Sequence, residues 1–229
     1  MPQTYLFDLD GTLLLDSHSP VDQFLHYCDR LGHPHNGDSV ARLTRWQHEY
    51  WARSDGIKNQ MTEPGHENFW LTYNVHQLQF LGVSGPLEEY ALTIDTWFRA
   101  EYIYTPSVPA DVRPTLSHLR DSGATLGLVS NRSTPLAAVT QEHGLADLFH
   151  FTLSAGEAGV WKPKPDIFHK ALQMANATPE SAVYIGDNYY ADILGAQGAG
   201  LQAILIDRQG FFPEADCRVI KEIKELQER

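Results

Sequence analysis

Four short stretches, ordered along the chain, place chemically active side chains at the ends of apolar runs. The first supplies two aspartates, the second a serine and an asparagine, the third a lysine and the fourth two further aspartates: Asp8, Asp10, Ser130, Asn131, Lys162, Asp187 and Asp192. Carboxylates, one hydroxyl and one ammonium would form a polar site if folding brought them together. Aspartates before a glycine such as Gly11 are also common in ordinary turns, so the first stretch alone does not distinguish a functional site from a turn.

The apolar runs in front of these stretches predict where the side chains meet. Residues 5–9, 125–129 and 182–185 are short, apolar and stopped by polar residues or glycine, as is typical of buried parallel strands. In parallel sheets, ligands gather at the carboxyl ends of the strands. We therefore expect the polar side chains to converge at that end of a sheet.

The order of the predicted elements indicates the fold class. Residues 16–105 show helical spacing, with helices near 21–31, 39–51, 67–81 and 87–99. From residue 111, strands near 125–130, 151–153, 182–185 and 202–206 alternate with helices near 111–120, 134–143, 166–175 and 191–199. The apolar spacing of Val219, Ile220, Ile223 and Leu226 predicts a closing helix over 218–229. We predict an α/β fold, a Rossmann-like parallel sheet with helices on both faces formed by residues 1–15 and 106–229, with an all-helical domain of residues 16–105 inserted.

Charge and cysteine content narrow the class of partner. The formal net charge of −12 would repel a nucleic acid polymer, although a nucleotide substrate is not excluded. Cys28 and Cys217 lack the spacing of a zinc site or a redox pair, so we expect reduced thiols. No apolar run approaches the roughly 20 residues of a membrane span, and no signal peptide fits before Asp8. We expect a soluble cytoplasmic protein, a monomer or homodimer, without a nucleic acid or membrane partner.

The four motifs together resemble the haloacid dehalogenase superfamily of aspartate-nucleophile phosphohydrolases, over nearly the whole chain. The first motif is Asp8-Leu9-Asp10-Gly11-Thr12-Leu13, and the last is Gly186-Asp187 with Asp192 following. The resemblance implies that Asp8 is the nucleophile that forms an aspartyl-phosphate and that Asp10 is the general acid and base. It also implies that Ser130, Asn131 and Lys162 bind the phosphate and that Asp192 supports the metal site.

The chemistry of phosphate transfer is consistent with these roles. A carboxylate approaches a phosphate dianion only where cations offset the repulsion. Asp8, Asp187 and the backbone carbonyl of Asp10 are oxygen ligands of the kind that Mg²⁺ prefers, so we expect Mg²⁺ as the cofactor. Lys162 would supply a second positive charge, and Ser130 with the backbone N–H groups after it would donate to phosphate oxygens.

Each of these residues also has a simpler structural interpretation. Ser130 precedes a helix entry and would serve there only as part of the capping region. Lys162 would be a solvated loop lysine if Lys164 took its role, although the family pattern favours the lysine before the first proline. Asp192 would merely cap the following helix.

The inserted helical segment carries many residues that tempt a ligand-binding interpretation. Its histidines lack the ligand spacing of a zinc site and are better explained as surface or core residues: His33, His35, His48, His66 and His76. Its tryptophans are better explained as core residues than as a substrate cage: Trp46, Trp51, Trp70 and Trp97. Four basic residues of the segment could bind an anionic substrate but are better explained as surface charge: Arg42, Arg45, Arg53 and Lys58. His18 is a separate candidate to face the substrate.

Position 10 discriminates among reactions within the superfamily. An alkoxide leaving group needs a proton and a halide does not, so Asp10 favours phosphate esters over carbon–halogen bonds. The insert between the first two motifs resembles the helical cap of the subgroup that contains phosphoglycolate phosphatase-like enzymes, which implies a small phosphorylated metabolite. We expect a Mg²⁺-dependent phosphatase of a small phosphate monoester: a phosphoglycolate-like compound, a sugar phosphate or a nucleoside monophosphate. A phosphomutase and a non-catalytic regulator that binds a phosphorylated ligand stay as alternatives.

Overall fold

The computed structural model of the protein describes residues 3–53 and 67–227. Within them, the chain forms two compact units. One comprises the residues up to Leu15 and from Pro106 onward, and the other lies between Asp16 and Thr105. In the described parts of the chain, no helix combines the length and the apolar character that crossing a membrane requires.

The strands of the described chain are β1 (Thr4–Phe7), β2 (Leu15–Asp16), β3 (Pro106–Ser107), β4 (Thr125–Ser130), β5 (Phe151–Ser154), β6 (Ala182–Gly186), β7 (Gln202–Ile206) and β8 (Arg218–Ile220). Six of them form a parallel sheet in the first unit, in the order β5-β4-β1-β6-β7-β8. The two short strands β2 and β3 pair with each other.

Alternation along the strands divides the core between the two faces of the sheet. In β1, Tyr5 and Phe7 belong to one buried apolar cluster, and Leu6 belongs to the other. Both faces are covered, which explains why the predicted strands are continuously apolar.

Helices from the same unit supply the rest of both clusters. The described α-helices of the chain are α1 (Pro20–Arg30), α2 (Ser39–Ala52), α3 (Glu67–Phe80), α4 (Leu87–Glu101), α5 (Val112–Asp121), α6 (Ala137–Glu142), α7 (Ala155–Ala158), α8 (Pro165–Ala175) and α9 (Gly195–Gly198). On α5, Val112 and Leu116 join the cluster of Phe7, and on α8, Ile167 and Phe168 join the cluster of Leu6. The predicted α/β fold class is confirmed.

The second unit is formed by α1 to α4 among its described residues. Helix α1 starts after Ser19, whose hydroxyl accepts a hydrogen bond from the backbone N–H of Asp22 at 3.3 Å. Its apolar face, with Phe24 and Leu25 at the centre, packs with Leu43 of α2, Leu78 of α3 and Ile94 of α4: together they form the core of this unit. The four predicted helices agree with the observed ones to within about two residues, the usual uncertainty of helix ends.

The predicted closing helix over 218–229 is wrong. The described part of this segment forms strand β8 and a 3₁₀-helix, Ile223–Gln227. Val219 and Ile220 are β-branched and pair with β7. This pairing satisfies the backbone hydrogen-bonding groups of β7, which a helix over these residues would leave unpaired. Within the 3₁₀-helix, Ile223 and Leu226 are buried and lie three residues apart, which is one turn of such a helix.

Two further helices differ from the sequence expectation. The helix predicted over 134–143 is only α6, which starts at Ala137. The helix predicted over 191–199 begins earlier, with a π-helical turn over Tyr189–Leu194, and continues into α9. Cys28 and Cys217 are both free thiols, as expected.

Candidate active site

Three adjacent strands bring the sequence motifs to one end of the sheet. Strand β1 lies between β4 and β6, and Phe7 pairs with Leu128 on one side and with Ile185 on the other. The residues just beyond β1 and β6 are Asp8 and Asp187, and Ser130 is the last residue of β4. This alignment follows from the parallel register, and it places residues far apart in sequence side by side.

Lys162 joins two of the aspartates inside the protein. Its Nζ atom donates hydrogen bonds to Asp8 Oδ1 and Asp192 Oδ1, both at 2.6 Å, and to the hydroxyl of Tyr184 at 2.9 Å. The lysine is 2% exposed. Burial by itself would lower the pKa of Lys162, but the neighbouring Asp192 and Asp8 carboxylates outweigh it and raise the pKa well above the usual range. The group is therefore an ammonium throughout the physiological range.

The backbone of Lys162 is fixed by the motif at the end of β4. The Asn131 side chain accepts a hydrogen bond from the Lys162 backbone N–H at 2.7 Å and donates one to its carbonyl at 3.0 Å. The side chain of Asn131 thus positions the lysine loop. Lys164, the rival lysine, is exposed and lies at the N-cap position of α8, where its side chain makes no capping hydrogen bond.

Three carboxylates form a cluster with the geometry of a metal site. One oxygen each of Asp8, Asp187 and Asp192 lies within 4.8 Å of the others. Burial raises the pKa of Asp8 to about 7, against the lowering effect of Lys162. Burial, reinforced by the charge of Asp8, also raises the pKa of Asp187 to about 7. Ionised carboxylates are therefore costly here, because the cluster carries more negative than positive charge.

The charge balance of this cluster fits a divalent cation. When all three carboxylates are ionised and Lys162 is protonated, two negative charges are uncompensated. A hard cation such as Mg²⁺ prefers carboxylate oxygens and would neutralise that excess. Asp192 would contribute less to ligation of such a cation, because its Oδ1 already accepts from Lys162 and its Oδ2 accepts from the backbone N–H of Asn188 at 3.0 Å.

The turn after β1 is shaped to the carboxylate of Asp187. Thr12 donates a hydrogen bond from its hydroxyl to Asp187 Oδ1 at 3.0 Å. Gly11 has φ +83°, and a Cβ atom at this position would overlap the Asp187 carboxylate. The guanidinium of Arg208 holds the turn by donating to the carbonyls of Gly11 at 3.0 Å and Thr12 at 2.9 Å.

Asp10 is held by a bidentate ion pair. Arg132 donates from Nε to one carboxylate oxygen of Asp10 at 2.8 Å and from Nη2 to the other at 2.6 Å. The backbone N–H of Arg132 also donates to the Ser130 hydroxyl oxygen at 3.3 Å. One residue therefore connects the motif after β4 to the second aspartate, in a planar geometry that only arginine provides.

The two oxygens of Asp8 differ in their surroundings. Asp8 Oδ1 accepts from Lys162, whereas Oδ2 has no hydrogen-bond partner among the described residues. The Asp8 backbone N–H donates to the carbonyl of Ile185 at 2.9 Å, which fixes the residue against β6. A carboxylate with one oxygen anchored and one available is oriented for attack through the second.

Four contributors to the site were not predicted from the sequence. Arg132, Thr12, Tyr184 and Arg208 all act through contacts with partners remote in sequence. The position of Arg132, two residues after Ser130, is the one signal that pointed to it. From the sequence, Tyr184 was interpreted only as a residue of a strand. Its hydroxyl accepts from Lys162 Nζ and donates to the carbonyl of Val129, both at 2.9 Å.

The basic candidates of the inserted segment have local roles in the second unit. Arg42 lies over the ring of Phe80 at 5.5 Å, and Arg53 pairs with Glu49 at 2.8 Å. Arg45 has a buried Nε without a hydrogen-bond partner in the described structure. Lys58 and His66 lie outside the described residues.

The remaining candidates of this segment divide between surface and interior. His18 is exposed, and its Nδ1 is 2.9 Å from the Ser17 hydroxyl. Trp46 stacks on Phe80 in the interior, and Trp97 lies beneath the guanidinium of Arg30, whose central carbon is 3.8 Å from the indole ring centre.

Comparison with known proteins agrees with the geometry. Residues 2–200 match the family model of the haloacid dehalogenase-like hydrolases. The chain is 28% identical to a ribulose-1,5-bisphosphate 5-phosphatase of Halopiger xanaduensis, over 90% of this chain and 85% of that protein. It is 29% identical to a phosphoserine phosphatase of Thermus thermophilus, over 91% and 90% of the two chains.

Solved structures give the same result. The crystal structure of a 2-haloacid dehalogenase from Pseudomonas syringae pv. Tomato matches with a TM-score of 0.57 and 25% identity, over 100% of this chain and 97% of that chain. The sequence resemblance and the expectation of a hydrolase are confirmed. Because the family model matches most of its length, this chain is a member of the haloacid dehalogenase-like hydrolases.

Proposed function

We propose that the protein is a Mg²⁺-dependent phosphatase that hydrolyses a small phosphate monoester through an aspartyl-phosphate on Asp8. The observation that supports this most directly is the asymmetry of Asp8, with one oxygen anchored by Lys162 and the other without a partner among the described residues. The donor set of Asp8, Asp187 and the Asp10 carbonyl would hold the metal, which supplies charge neutralisation for the phosphate.

In the first step, Asp8 Oδ2 attacks phosphorus and the bond from phosphorus to the ester oxygen breaks. Asp10 gives its proton to the departing alkoxide, so that an alcohol leaves. Lys162 and the hydroxyl of Ser130 face the same end of the sheet and stabilise the charge on the phosphoryl oxygens. Asp10 accepts from Arg132 on both oxygens in the resting site, so it first takes up a proton on one of them, and the hydrogen bond from Arg132 to the other oxygen keeps the carboxyl oriented during the transfer.

In the second step, Asp10 takes a proton from water, and the resulting oxygen attacks phosphorus. The bond between phosphorus and Asp8 breaks, which releases inorganic phosphate and restores the carboxylate. The same residue thus serves as acid and then as base, which is the reason for placing it two residues from the nucleophile.

We assign residues 16–105 the role of a cap that selects the substrate. Two relatives are named for the phosphate esters that they hydrolyse, a sugar bisphosphate and phosphoserine, and both names support a small phosphorylated metabolite here. We expect the protein to act on a soluble metabolite in the cytoplasm.

Carbon–halogen hydrolysis is a second candidate, because a structural relative is a 2-haloacid dehalogenase. Its first step would also use Asp8, but a halide departs without a proton. The bidentate pair between Asp10 and Arg132 would then have no catalytic purpose. Asp10 therefore favours the phosphatase, and chloride release from 2-chloropropionate tests the rival. A mutase, in turn, would require a sugar bisphosphate and would return the phosphoryl group to the sugar.

The test is release of inorganic phosphate from a panel of phosphorylated metabolites, with Mg²⁺ and with excess chelator. We expect release by the wild-type protein with Mg²⁺, and none with chelator or in Asp8→Asn. Asp38→Asn, an exposed aspartate outside the site, is the matched control and should retain full activity. Release that continues in Asp8→Asn would refute the proposed nucleophile, and a folded wild-type protein without any release would favour the non-catalytic regulator.

A further inference from the structure

The helical unit contains a cavity of about 470 Å³ with aromatic walls. Phe24, Trp51, Trp70, Tyr73 and Phe98 contribute the apolar surface, and their side chains come from all four helices. The indole rings of Trp51 and Trp70 are 6.0 Å apart, and that of Trp51 is 5.1 Å from Tyr73. A volume of this size lies within the usual range for sites that bind small molecules.

Three amide side chains form a chain of hydrogen bonds along this cavity. Gln47 donates to Gln77 at 2.7 Å, and Gln77 donates to Asn74 at 3.1 Å. All three residues line the cavity, and Asn74 and Gln77 are 5% and 2% exposed. Buried amides of this kind normally use all their hydrogen-bonding groups, because an unpaired one is costly.

The two ends of the amide chain have no protein partner among the described residues, and neither is enclosed away from the cavity. Among the described residues, the side-chain N–H₂ of Asn74 has no acceptor, and the side-chain oxygen of Gln47 has no donor. Reversing all three amides would exchange the ends but would still leave one donor and one acceptor. The cavity therefore offers one donor and one acceptor in addition to its aromatic surfaces.

Charge does not dominate this cavity. Asp95 and Arg99 are its ionic lining residues, and they pair with each other at 2.7 Å. A charged ligand would have to compete with that pair, whereas a neutral ring would leave it intact. Aromatic walls favour a planar ring that stacks on them.

We propose that this cavity binds a planar, uncharged heteroaromatic ring that carries both a carbonyl acceptor and a ring N–H donor, as pyrimidine and purine bases do. A ring carbonyl accepts from Asn74, the ring N–H donates to Gln47, and one ring face packs against Trp70. The proposal concerns the helical unit alone and does not rest on the phosphatase site. A nucleoside without phosphate is therefore a sufficient probe.

The experiment measures binding of uridine to the full chain by quenching of tryptophan fluorescence. The control ligand is 3-methyluridine, which keeps the ring and the carbonyls but lacks the lactam N–H. We expect saturable binding of uridine and about tenfold weaker binding of 3-methyluridine, because one buried hydrogen bond is lost and its acceptor stays unpaired.

Substitutions then test the assigned residues. Asn74→Leu should weaken uridine binding about tenfold, and Gln79→Leu, the same change at an exposed position of α3 outside the cavity, should leave it unchanged. Trp70 is 36% exposed, so Trp70→Ala should keep the fold while weakening binding about two- to tenfold through lost stacking.

Absence of saturable uridine binding to the wild-type protein would refute the proposal. The proposal would also be refuted if the protein bound uridine and 3-methyluridine equally tightly, or if neither Asn74→Leu nor Trp70→Ala changed the affinity for uridine. If circular dichroism shows that Asn74→Leu does not fold, Trp70→Ala and the methylated ligand decide. Because uridine has no phosphate, a negative result here leaves the phosphatase proposal intact, and loss of phosphatase activity would not affect this one.

Discussion

Lys162 is the residue on which the electrostatics of the site depend most. It is buried, and it contacts the carboxylates of Asp8 and Asp192 at 2.6 Å each. Removing one partner of a buried ionic cluster leaves uncompensated charge, which is far more costly than losing an exposed ion pair.

We predict that Lys162→Met lowers the free energy of unfolding by about 3 kcal/mol and abolishes phosphate release. Lys164→Met makes the same change at an exposed neighbour and should alter stability by less than about 0.5 kcal/mol. Urea unfolding followed by circular dichroism compares the two. Equal stability of both variants would mean that the buried ion pairs do not stabilise the folded state.

Arg132 should affect leaving groups selectively. Its two hydrogen bonds orient Asp10, which protonates the departing oxygen, so Arg132→Gln should slow the hydrolysis of an alkyl phosphate about ten- to hundredfold. p-Nitrophenyl phosphate should be affected much less, because p-nitrophenolate departs without a proton.

The measurement is the ratio of kcat/KM values for the two substrates in each variant. Arg132→Lys should restore part of the alkyl phosphate activity. Arg113→Gln, which removes an exposed arginine paired with Asp147, is the control and should leave the ratio unchanged. An equal loss on both substrates in Arg132→Gln would show that Arg132 acts on the phosphate or on folding rather than through Asp10.

At the scale of single elements, the turn after β1 determines the position of Asp187. Gly11 has φ +83°, and Gly210 has φ +75°, so alanine carries a similar backbone cost of about 1–2 kcal/mol at either position. Only at Gly11 would the new Cβ also overlap the Asp187 carboxylate, because the space around Gly210 is open.

We therefore predict that Gly210→Ala loses about 1–2 kcal/mol of stability and keeps its activity. Gly11→Ala should lose more stability and all phosphate release, because the Asp187 carboxylate is displaced. Thermal unfolding and the phosphate assay on both variants test this difference. Full activity in Gly11→Ala would contradict the assigned geometry of the turn.

The free energy of unfolding should depend on pH through the ionisation of Asp16. Burial alone would raise the pKa of Asp16, but hydrogen bonds from the Tyr102 hydroxyl and the backbone N–H groups of His18 and Thr105 outweigh it and lower the pKa. A lowered pKa in the folded state stabilises the fold above the unfolded pKa, and that stability is lost as the pH falls through the folded value.

Asp16→Asn should accordingly cost about 1 kcal/mol at pH 7, and the difference from wild type should shrink towards about pH 3. Asp38→Asn is the control, since the Asp38 side chain makes no capping hydrogen bond at the start of α2. Urea unfolding at both pH values measures the effect. A loss at pH 3 as large as at pH 7 would show that the charge of Asp16 is not what stabilises this region.

Local sequence pattern predicted the elements that carry strong periodicity and failed where pairing decides. The strand 202–206 was predicted to the residue, because the apolar run 203–206 lies between the polar residues Gln202 and Asp207. Strand β8 was missed, because the two apolar residues Val219 and Ile220 suit either an amphipathic helix or a strand, and only pairing with β7 selects the strand.

At the scale of the whole molecule, the same distinction applies to the site. Motif order placed Asp8, Ser130 and Asp187 at strand ends, because a parallel sheet collects such ends on one side. The contributions of Arg132 and Arg208 depend on partners that sequence spacing does not reveal: they are 122 and more than 190 residues from the groups they bind. A pattern read along the chain predicts strand ends better than it predicts which side chains meet there.

The central claim is that Asp8 carries the phosphoryl group during turnover. It is tested most directly by acid-quenching the enzyme with p-nitrophenyl phosphate, reducing it with borohydride and locating modified residues by mass spectrometry. Reduction converts an aspartyl-phosphate to homoserine. Asp10→Asn should accumulate the intermediate, because this leaving group needs no proton whereas the attacking water needs the base. We predict homoserine at position 8 in that variant, and none without substrate. Turnover without modification of Asp8 would contradict the account.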